Sequence, residues 1–310
     1  MNGTGFSLDL GRCTGCGACV VACSIENRLD PQRTWRQIHT FNPSRHPSAP
    51  VLHYSLACNH CREPACLHGC PASAFSRQRS SGAVLVDPAR CIGCRYCSWV
   101  CPYDAPRFDP EAGVMAKCTL CSPRLEQGVA PACVAACPVS ALGLLVPCPS
   151  RPVTAPGFPD TGLGPAIEIV PRRRNNAPPE IVGGGPANLL PAPSHAPGWN
   201  RLRVEWPLLL FSLAAGGLVA LFIADTAAGK RVAPVGFAGA GALALAVSSL
   251  HLGRRGRMWR AVLNLRRSWI SREVLLFGLF VAGAAAVSAL EAPPAAAWWA
   301  VTALGMAAPV

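Results

Sequence analysis

Residues 91–102 read Cys91-Ile-Gly-Cys94-Arg-Tyr-Cys97-Ser-Trp-Val-Cys101-Pro102, four cysteines at gaps of two, two and three residues with a proline behind the last. Three thiolates so close together can wrap the irons of one iron–sulfur cube, while the fourth, just ahead of the proline, serves a different cube. The stretch therefore predicts a partner stretch, and three more cysteine groups are present. The first is Cys13-x₂-Cys16-x₂-Cys19-x₃-Cys23, followed by Ser24 instead of proline. Gly15 and Gly17 inside it let the backbone curl tightly and aim N–H groups at sulfur. The second, Cys58-Asn-His-Cys61-Arg-Glu-Pro-Ala-Cys66-Leu-His-Gly-Cys70-Pro71, widens the middle gap to four residues. The last is Cys118-Thr-Leu-Cys121, then eleven residues, then Cys133-Val-Ala-Ala-Cys137-Pro138.

Sixteen of the 17 cysteines thus fall into four quartets, which predicts four [4Fe–4S] clusters. Because the fourth cysteine of a group leaves it, the groups must pair. Nesting the first with the last and the second with the third puts Cys13, Cys16, Cys19 and Cys137 on one cube. Cys118, Cys121 and Cys133 then share a second with Cys23. Cys58, Cys61 and Cys66 share a third with Cys101, and Cys91, Cys94 and Cys97 a fourth with Cys70. Spacing alone also allows the first group to pair with the second and the third with the last. His60 and His68 lie within the second group, but its four cysteines leave no need for a histidine ligand. Cys148, between Pro147 and Pro149, reads as an incidental thiol.

Two other uses of cysteine fit less well. Zinc sites use Cys-x₂-Cys pairs, but four complete quartets with three Cys-Pro endings are not a zinc pattern. A disulfide framework belongs to a secreted chain, and the N-terminal residues show neither a basic n-region nor an apolar h-region.

A mean hydropathy of +0.29 with only 14% charged residues is too apolar for an ordinary soluble protein. The apolar residues concentrate after residue 204. Trp206–Ala224, Ala233–Leu250, Val274–Leu290 and Pro293–Val310 are uncharged runs, each expected as a membrane helix. The net charge of +12 does not predict nucleic-acid binding, because most of it flanks these runs. Residues 151–310 carry 15 Lys and Arg against 7 Asp and Glu, residues 1–150 13 against 9. Seven arginines lie in Gly253–Arg272, between the second and third runs. By the positive-inside rule that loop, and the cysteine-rich part with it, faces the cytoplasm. The competing use of these arginines is to dock the cysteine-rich part or to line a quinone head-group site.

Short-range patterns are sparse. Gln37–Phe41 reads as a strand, Cys19–Ile25 as the start of a helix, and Ala74–Gln78 with Ala83–Val86 as a hairpin. Thirteen prolines fall between Pro147 and Pro197, and residues 183–203 read as a Pro/Gly-rich linker. The Arg172-Arg-Arg174 triplet suits a lipid head group, another subunit or plain solvent. No Walker loop, Gly-x-Gly-x-x-Gly run or haem-attachment motif is present, so no substrate chemistry is expected of the chain itself. His251 is the only histidine after residue 204, which leaves no bis-histidine haem within the chain. At a membrane boundary it is a candidate for proton exchange with a quinol.

Together, Cys58-Asn-His-Cys61-Arg-Glu-Pro-Ala-Cys66, Cys91-Ile-Gly-Cys94-Arg-Tyr-Cys97, Cys101-Pro-Tyr-Asp-Ala-Pro106 and Lys117-Cys118 resemble the four-cluster iron–sulfur subunit of dimethyl sulfoxide reductase-type molybdoenzymes. The resemblance runs over roughly residues 5–182, with Gly164–Pro171 similar to that subunit's C-terminal tail. Glu205-Trp-Pro-Leu208, Leu250-His-Leu-Gly253 and Ser268-Trp-Ile-Ser-Arg-Glu273 resemble the matching membrane anchor. The resemblance implies an α+β fold of two nested dicluster ferredoxin-like modules (residues 1–182), then the linker, then an all-α transmembrane segment (204–310). About four helices would make the N-terminal part of such an anchor, so a truncated or shared anchor is expected. Some relatives replace the second cysteine of the third group and hold a three-iron cluster; Cys94 is present, which implies four [4Fe–4S] clusters here.

The function implied is electron transfer in the inner membrane, between a quinol oxidised near His251 and a molybdopterin catalytic subunit on a separate chain. The bilayer and quinone pool are further partners, and nucleic acid is not. The same wire would run in reverse in a formate dehydrogenase-like complex. A metal-binding membrane adaptor without redox function is the alternative from another class.

Overall fold

The computed structural model describes residues 3–47, 49–148, 153, 155–156, 158–159, 161–171, 199–291 and 293–307. In the cysteine-rich part every regular element is short. Strand β1 (Gly5–Asp9) buries Phe6 and Leu8 and delivers the first group. Helix α1 (Ala18–Glu26) turns Cys19 and Cys23 inward, one helical turn apart, and leaves Val21 and Ile25 exposed. The antiparallel pair β2 (Gln37–Phe41) and β3 (Leu52–Leu56) separates the first group from the second. Helix α2 (Ala65–Gly69) carries Cys66. The hairpin of β4 (Phe75–Arg77) and β5 (Val84–Val86) separates the second group from the third. After α3 (Tyr96–Trp99) comes a third hairpin, β6 (Arg107–Asp109) with β7 (Val114–Ala116), before the last group. Helices α4 (Ser122–Glu126) and α5 (Ala132–Ala135) follow, then β8 (Leu142–Leu145) and β9 (Ile167–Val170).

One sheet closes the module. β1 pairs antiparallel with β8, Phe6 opposite Leu144, and parallel with β9, Phe6 opposite Ile167. β1 precedes the first cysteine group and β8 follows the last, so this pairing brings the outer two groups together. α2 packs on α3, which brings the inner two together. The strand expected over Gln37–Phe41, the helix after Cys19 and the hairpin around Gly82 are all present. β3 escapes sequence reading because Pro47 and Pro50 obscure its start, although Leu52 and Tyr54 alternate into the core.

The second half is helical: α6 (Trp199–Ala227), α7 (Pro234–Ser248), α8 (Trp269–Ala289) and α9 (Ala295–Ala307). Phe222 is fully buried at its centre, with ring centroids 5.6 Å from Phe280, 6.0 Å from Phe237 and 5.5 Å from Trp298. Leucines 209, 210, 213, 243 and 279 point outward. Outward leucines around an aromatic core are what lipid, rather than water, permits. Three helices, Glu205–Ala227, Pro234–His251 and Trp269–Ala289, are long and apolar enough to cross a membrane. The fourth expected span differs: its helix α9 has 13 residues, about 20 Å at 1.5 Å per residue against a core of about 30 Å. The expected linker is also revised. Residues 199–203 belong to α6, while its residues 183–198 and the Arg172–Arg174 triplet lie outside the described residues.

Candidate iron–sulfur sites and the membrane junction

The four groups repeat one backbone device. The residue two places after the first cysteine adopts a left-handed conformation: Gly15 (φ 73°), His60 (44°), Gly93 (70°) and Leu120 (60°). Its N–H then turns back to sulfur, from His60 to Cys58 Sγ (3.5 Å), Gly93 to Cys91 Sγ (3.4 Å) and Leu120 to Cys118 Sγ (3.4 Å). Gly15 does the same for Cys13. A second device follows each Cys-Pro. Ser73, Asp104 and Ser140 all have φ between 47° and 49°. The next N–H donates to the preceding cysteine, Ala74 to Cys70 Sγ (3.3 Å) and Ala141 to Cys137 Sγ (3.2 Å), with Ala105 doing so for Cys101. L-residues adopt positive φ only at a cost. Its recurrence beside sulfur marks a loop shaped to present sulfur atoms and N–H donors inward.

Cavities lie among these sulfurs. One is lined by Cys58, Cys61, Cys66 and Cys101, with His60 and Lys117. Another is lined by Cys13, Cys16, Cys19 and Cys137. Cys23 lies within electrostatic reach of Cys133 and Cys121, and Cys97 within reach of Cys94, Cys70 and Cys91. Neighbouring quartets also meet: Cys97 reaches Cys66, and Cys118 reaches Cys58. Among the described residues no three His, Cys, Asp or Glu side chains converge on one point as a single metal ion needs. Sulfurs spread around a cavity suit a cube, in which each thiolate meets its own iron.

The cavity walls fit an anionic group. Burial pushes the Cys61, Cys66 and Cys118 thiols up to about 12 and Cys23 up to about 11. A bound cluster would hold these sulfurs as thiolates at neutral pH. His60 is 98% buried, and burial, with Lys117 and Arg77 nearby, drives its pKa well down. Its Nδ1 accepts the Val84 N–H (3.0 Å), so Nε2 carries the proton, and that buried N–H has no partner among the described residues. Arg36 is 99% buried, and its Nε and Nη2 likewise have no partner among the described residues. Unpartnered buried donors cost about 1–3 kcal/mol each, which an acceptor such as cluster sulfur would remove. Sequence reasoning set His60 aside as a ligand and missed it as a donor; it missed Arg36 altogether, since nothing local marks that residue.

The arginine loop is docked. Arg254 N donates to Ile92 O (3.1 Å) and Arg254 Nε to Ala112 O (2.8 Å). Arg257 reaches Pro88 O and Cys91 O (2.8 and 3.1 Å), and Arg260 reaches Ala89 O (2.6 Å). Asn264 donates to His68 O and Cys70 O (3.1 and 2.9 Å), and Ser268 to Gly69 O (2.9 Å). These contacts grip the loops bearing Cys70 and Cys91. His68, no ligand candidate, meets Arg267 here at 3.0 Å. His251 is half-buried in the 3₁₀ turn Ser249–His251 that follows α7, and its Nδ1 contacts the Ser248 carbonyl. Arg95, next to Cys94 and stacked over Phe108 at 3.9 Å, lies within electrostatic reach of both His251 and Glu205. Cys148 is buried behind Gly5, away from the quartets.

Quartets of inward sulfurs, N–H donors and short hairpins define a polycluster iron–sulfur protein of the ferredoxin-like class. Residues 50–146 match the family model for a 4Fe-4S dicluster domain, and residues 13–26 that for a 4Fe-4S binding domain. The probable anaerobic dimethyl sulfoxide reductase chain YnfG of Escherichia coli (strain K12) is 41% identical over 146 residues, 44% of this chain and 71% of the relative. A subunit of the sulfite dehydrogenase of Allochromatium vinosum is 36% identical over 197 residues, 54% and 82% of the two chains. A subunit of the tetrathionate reductase of Salmonella typhimurium is 44% identical over 133 residues, 42% and 52%. The chain belongs to the family of dimethyl sulfoxide reductase iron–sulfur subunits, and its apolar C-terminal helices are consistent with a fused membrane anchor.

Proposed function

We propose that the chain is an electron conduit between a membrane quinol and a molybdopterin catalytic subunit on a separate chain, in a complex like dimethyl sulfoxide reductase. Residues 1–182 form the cluster-bearing part, and residues from 204 on the anchor. The reading is carried by the succession of quartets from the docked loop outward. Cys70, Cys91, Cys94 and Cys97 lie against that loop, then come Cys58, Cys61, Cys66 and Cys101, then Cys23, Cys118, Cys121 and Cys133. Cys13, Cys16, Cys19 and Cys137 form the far end, where Cys16, Val21 and Ile25 are exposed and offer a surface to the catalytic subunit. A [4Fe–4S] cluster at each quartet would supply one-electron transfer, and the four together a relay.

The residues do the rest. Burial and N–H donors favour bound cluster over free thiol. Oxidation of a quinol releases two electrons and two protons. His251 is suited to take one proton: with Nδ1 donating to the Ser248 carbonyl, Nε2 is the open acceptor. Arg95, within electrostatic reach of His251, would stabilise the quinolate anion left when that proton departs. The cysteine-rich part and the loop share one side of the inner membrane, the cytoplasmic side by charge bias. Four of the loop's arginines, Arg254, Arg257, Arg260 and Arg267, dock on the cysteine-rich part.

The test is reduction of the clusters by a quinol analogue in membranes. His251→Leu should abolish it while dithionite still bleaches the absorption near 400 nm; unchanged quinol turnover removes His251 from the reading. A colourless, zinc-replete wild type would remove the clusters themselves. Protease access in oriented vesicles tests the membrane face.

A further inference from the structure

Among the described residues of the cysteine-rich part, two cations are buried with no carboxylate against them. Arg36 and Lys117 are 1% and 2% exposed. Neither makes an ion pair among the described residues. Arg36 Nη1 donates to Ser55 O (2.9 Å) and to Ser55 Oγ (3.1 Å), which itself contacts Cys19 Sγ (3.1 Å). Its guanidinium lies 4.5 Å from the Phe6 ring centre. Lys117 Nζ donates to Val84 O and to Cys118 O, and Lys117 lines the cavity of Cys58, Cys61, Cys66 and Cys101. Burial alone would pull the Arg36 guanidinium's pKa down, yet Cys133, Cys118, Cys19 and Cys23 around it raise it overall.

A buried unpaired charge costs several kcal/mol, so each cation needs an anion nearby. What surrounds them is cysteine sulfur. Each also lies between two quartets: Arg36 between Cys19 and the set of Cys23, Cys118 and Cys133, Lys117 between Cys66 and Cys118. The quartet of Cys23, Cys118, Cys121 and Cys133 therefore has a fixed cation on two sides. Adding an electron to a cluster adds a negative charge, which a nearby cation in a dry interior stabilises.

We propose that Arg36 and Lys117 are potential-setting residues that raise the midpoint potential of the cluster on Cys23, Cys118, Cys121 and Cys133, making it an electron well within the relay. This rests on the cluster reading above. The full chain in detergent, loaded with its clusters, is first analysed for iron and acid-labile sulfide. Fewer than four clusters sinks that reading. With four present, redox-poised EPR follows each signal, and the one belonging to this quartet is identified by its loss in Cys133→Ser.

Arg36→Gln and Lys117→Gln should each lower its reduced-to-oxidised ratio at fixed potential at least tenfold, about 59 mV for one electron. Arg36→Lys, which keeps the charge, should stay within tenfold of wild type, and the signal of Cys70, Cys91, Cys94 and Cys97 should not move. Shifts below tenfold in both Gln variants, or an equal shift of all four signals, overturn the inference and leave the cluster reading standing. Should Arg36→Gln fail to hold iron, Lys117→Gln reads the same cluster from its other side; loss of iron in both makes the cations assembly elements and overturns the proposal.

Discussion

Cys101 is four residues from Cys97, yet it lines the cavity of Cys58, Cys61 and Cys66. The turn at Pro102 and the positive φ of Asp104 carry it away from its neighbours, and the Asp104–Arg107 pair at 3.0 Å fastens that turn. If Cys101 belongs to the cube of Cys58, Cys101→Ser and Cys58→Ser should remove or convert the same EPR signal, while Cys70→Ser and Cys91→Ser share a different one. Matching signals for Cys101 and Cys91 would refute the nested pairing. His60 gives a second prediction at this scale. As an N–H donor rather than a ligand, it should be replaceable by Asn, another donor at a left-handed position, without loss of iron. His60→Leu, which removes the donor and is strained at φ 44°, should destabilise by roughly 1–3 kcal/mol, read as a lower thermal midpoint of the visible absorption.

Among elements, the short 3₁₀ stretch Arg255–Val262 and its flanks couple the two halves. The approach is so close that the Gly253 backbone lies against Gly93 and Gly113; a Cβ on Gly253 would run into Gly113 O. That contact is backbone to backbone and has no flexible end to give. Gly253→Val should force the loop off the loops of Cys70 and Cys91, an overpacking cost of about 1–3 kcal/mol. Cluster content should be unchanged and quinol-driven reduction slowed at least tenfold. Equal rates would show that the docking carries no electrons. This is also where sequence reading was incomplete. Seven arginines in one loop read first as membrane-edge charge and only second as docking groups, because charge count has no direction, and the backbone carbonyls that accept these arginines are invisible in a sequence.

Over the whole molecule, strands and helices of three to five residues cannot hold together unaided. The main buried core of the cysteine-rich part includes Cys19, Cys58, Cys118 and Cys133 beside Phe6, Leu8 and Tyr54. Iron should therefore act as core. Stripping iron with a chelator under acid should unfold residues 5–170, while α6–α8, packed around Phe222 and Phe280, keep their helicity in detergent. Circular dichroism and limited proteolysis read the two halves separately, and a protease-resistant apo N-terminal half would contradict the prediction.

The cysteine groups, the turn between Arg79 and Gly82 and the three long apolar helices were legible in the sequence, because these rest on local spacing and hydrophobic run length. The sequence left open which groups pair, what the arginines bind and where buried charge sits. Those depend on contacts between residues far apart in the chain: β1 against β8, Arg254 against Ala112, Arg36 beside Cys118. Cys91–Pro102 announces an iron–sulfur protein on its own. That its last cysteine turns toward Cys58, and that its first is gripped by Arg257 from the membrane half, was decided only by the tertiary structure, where backbone curvature and burial choose a sulfur's neighbours.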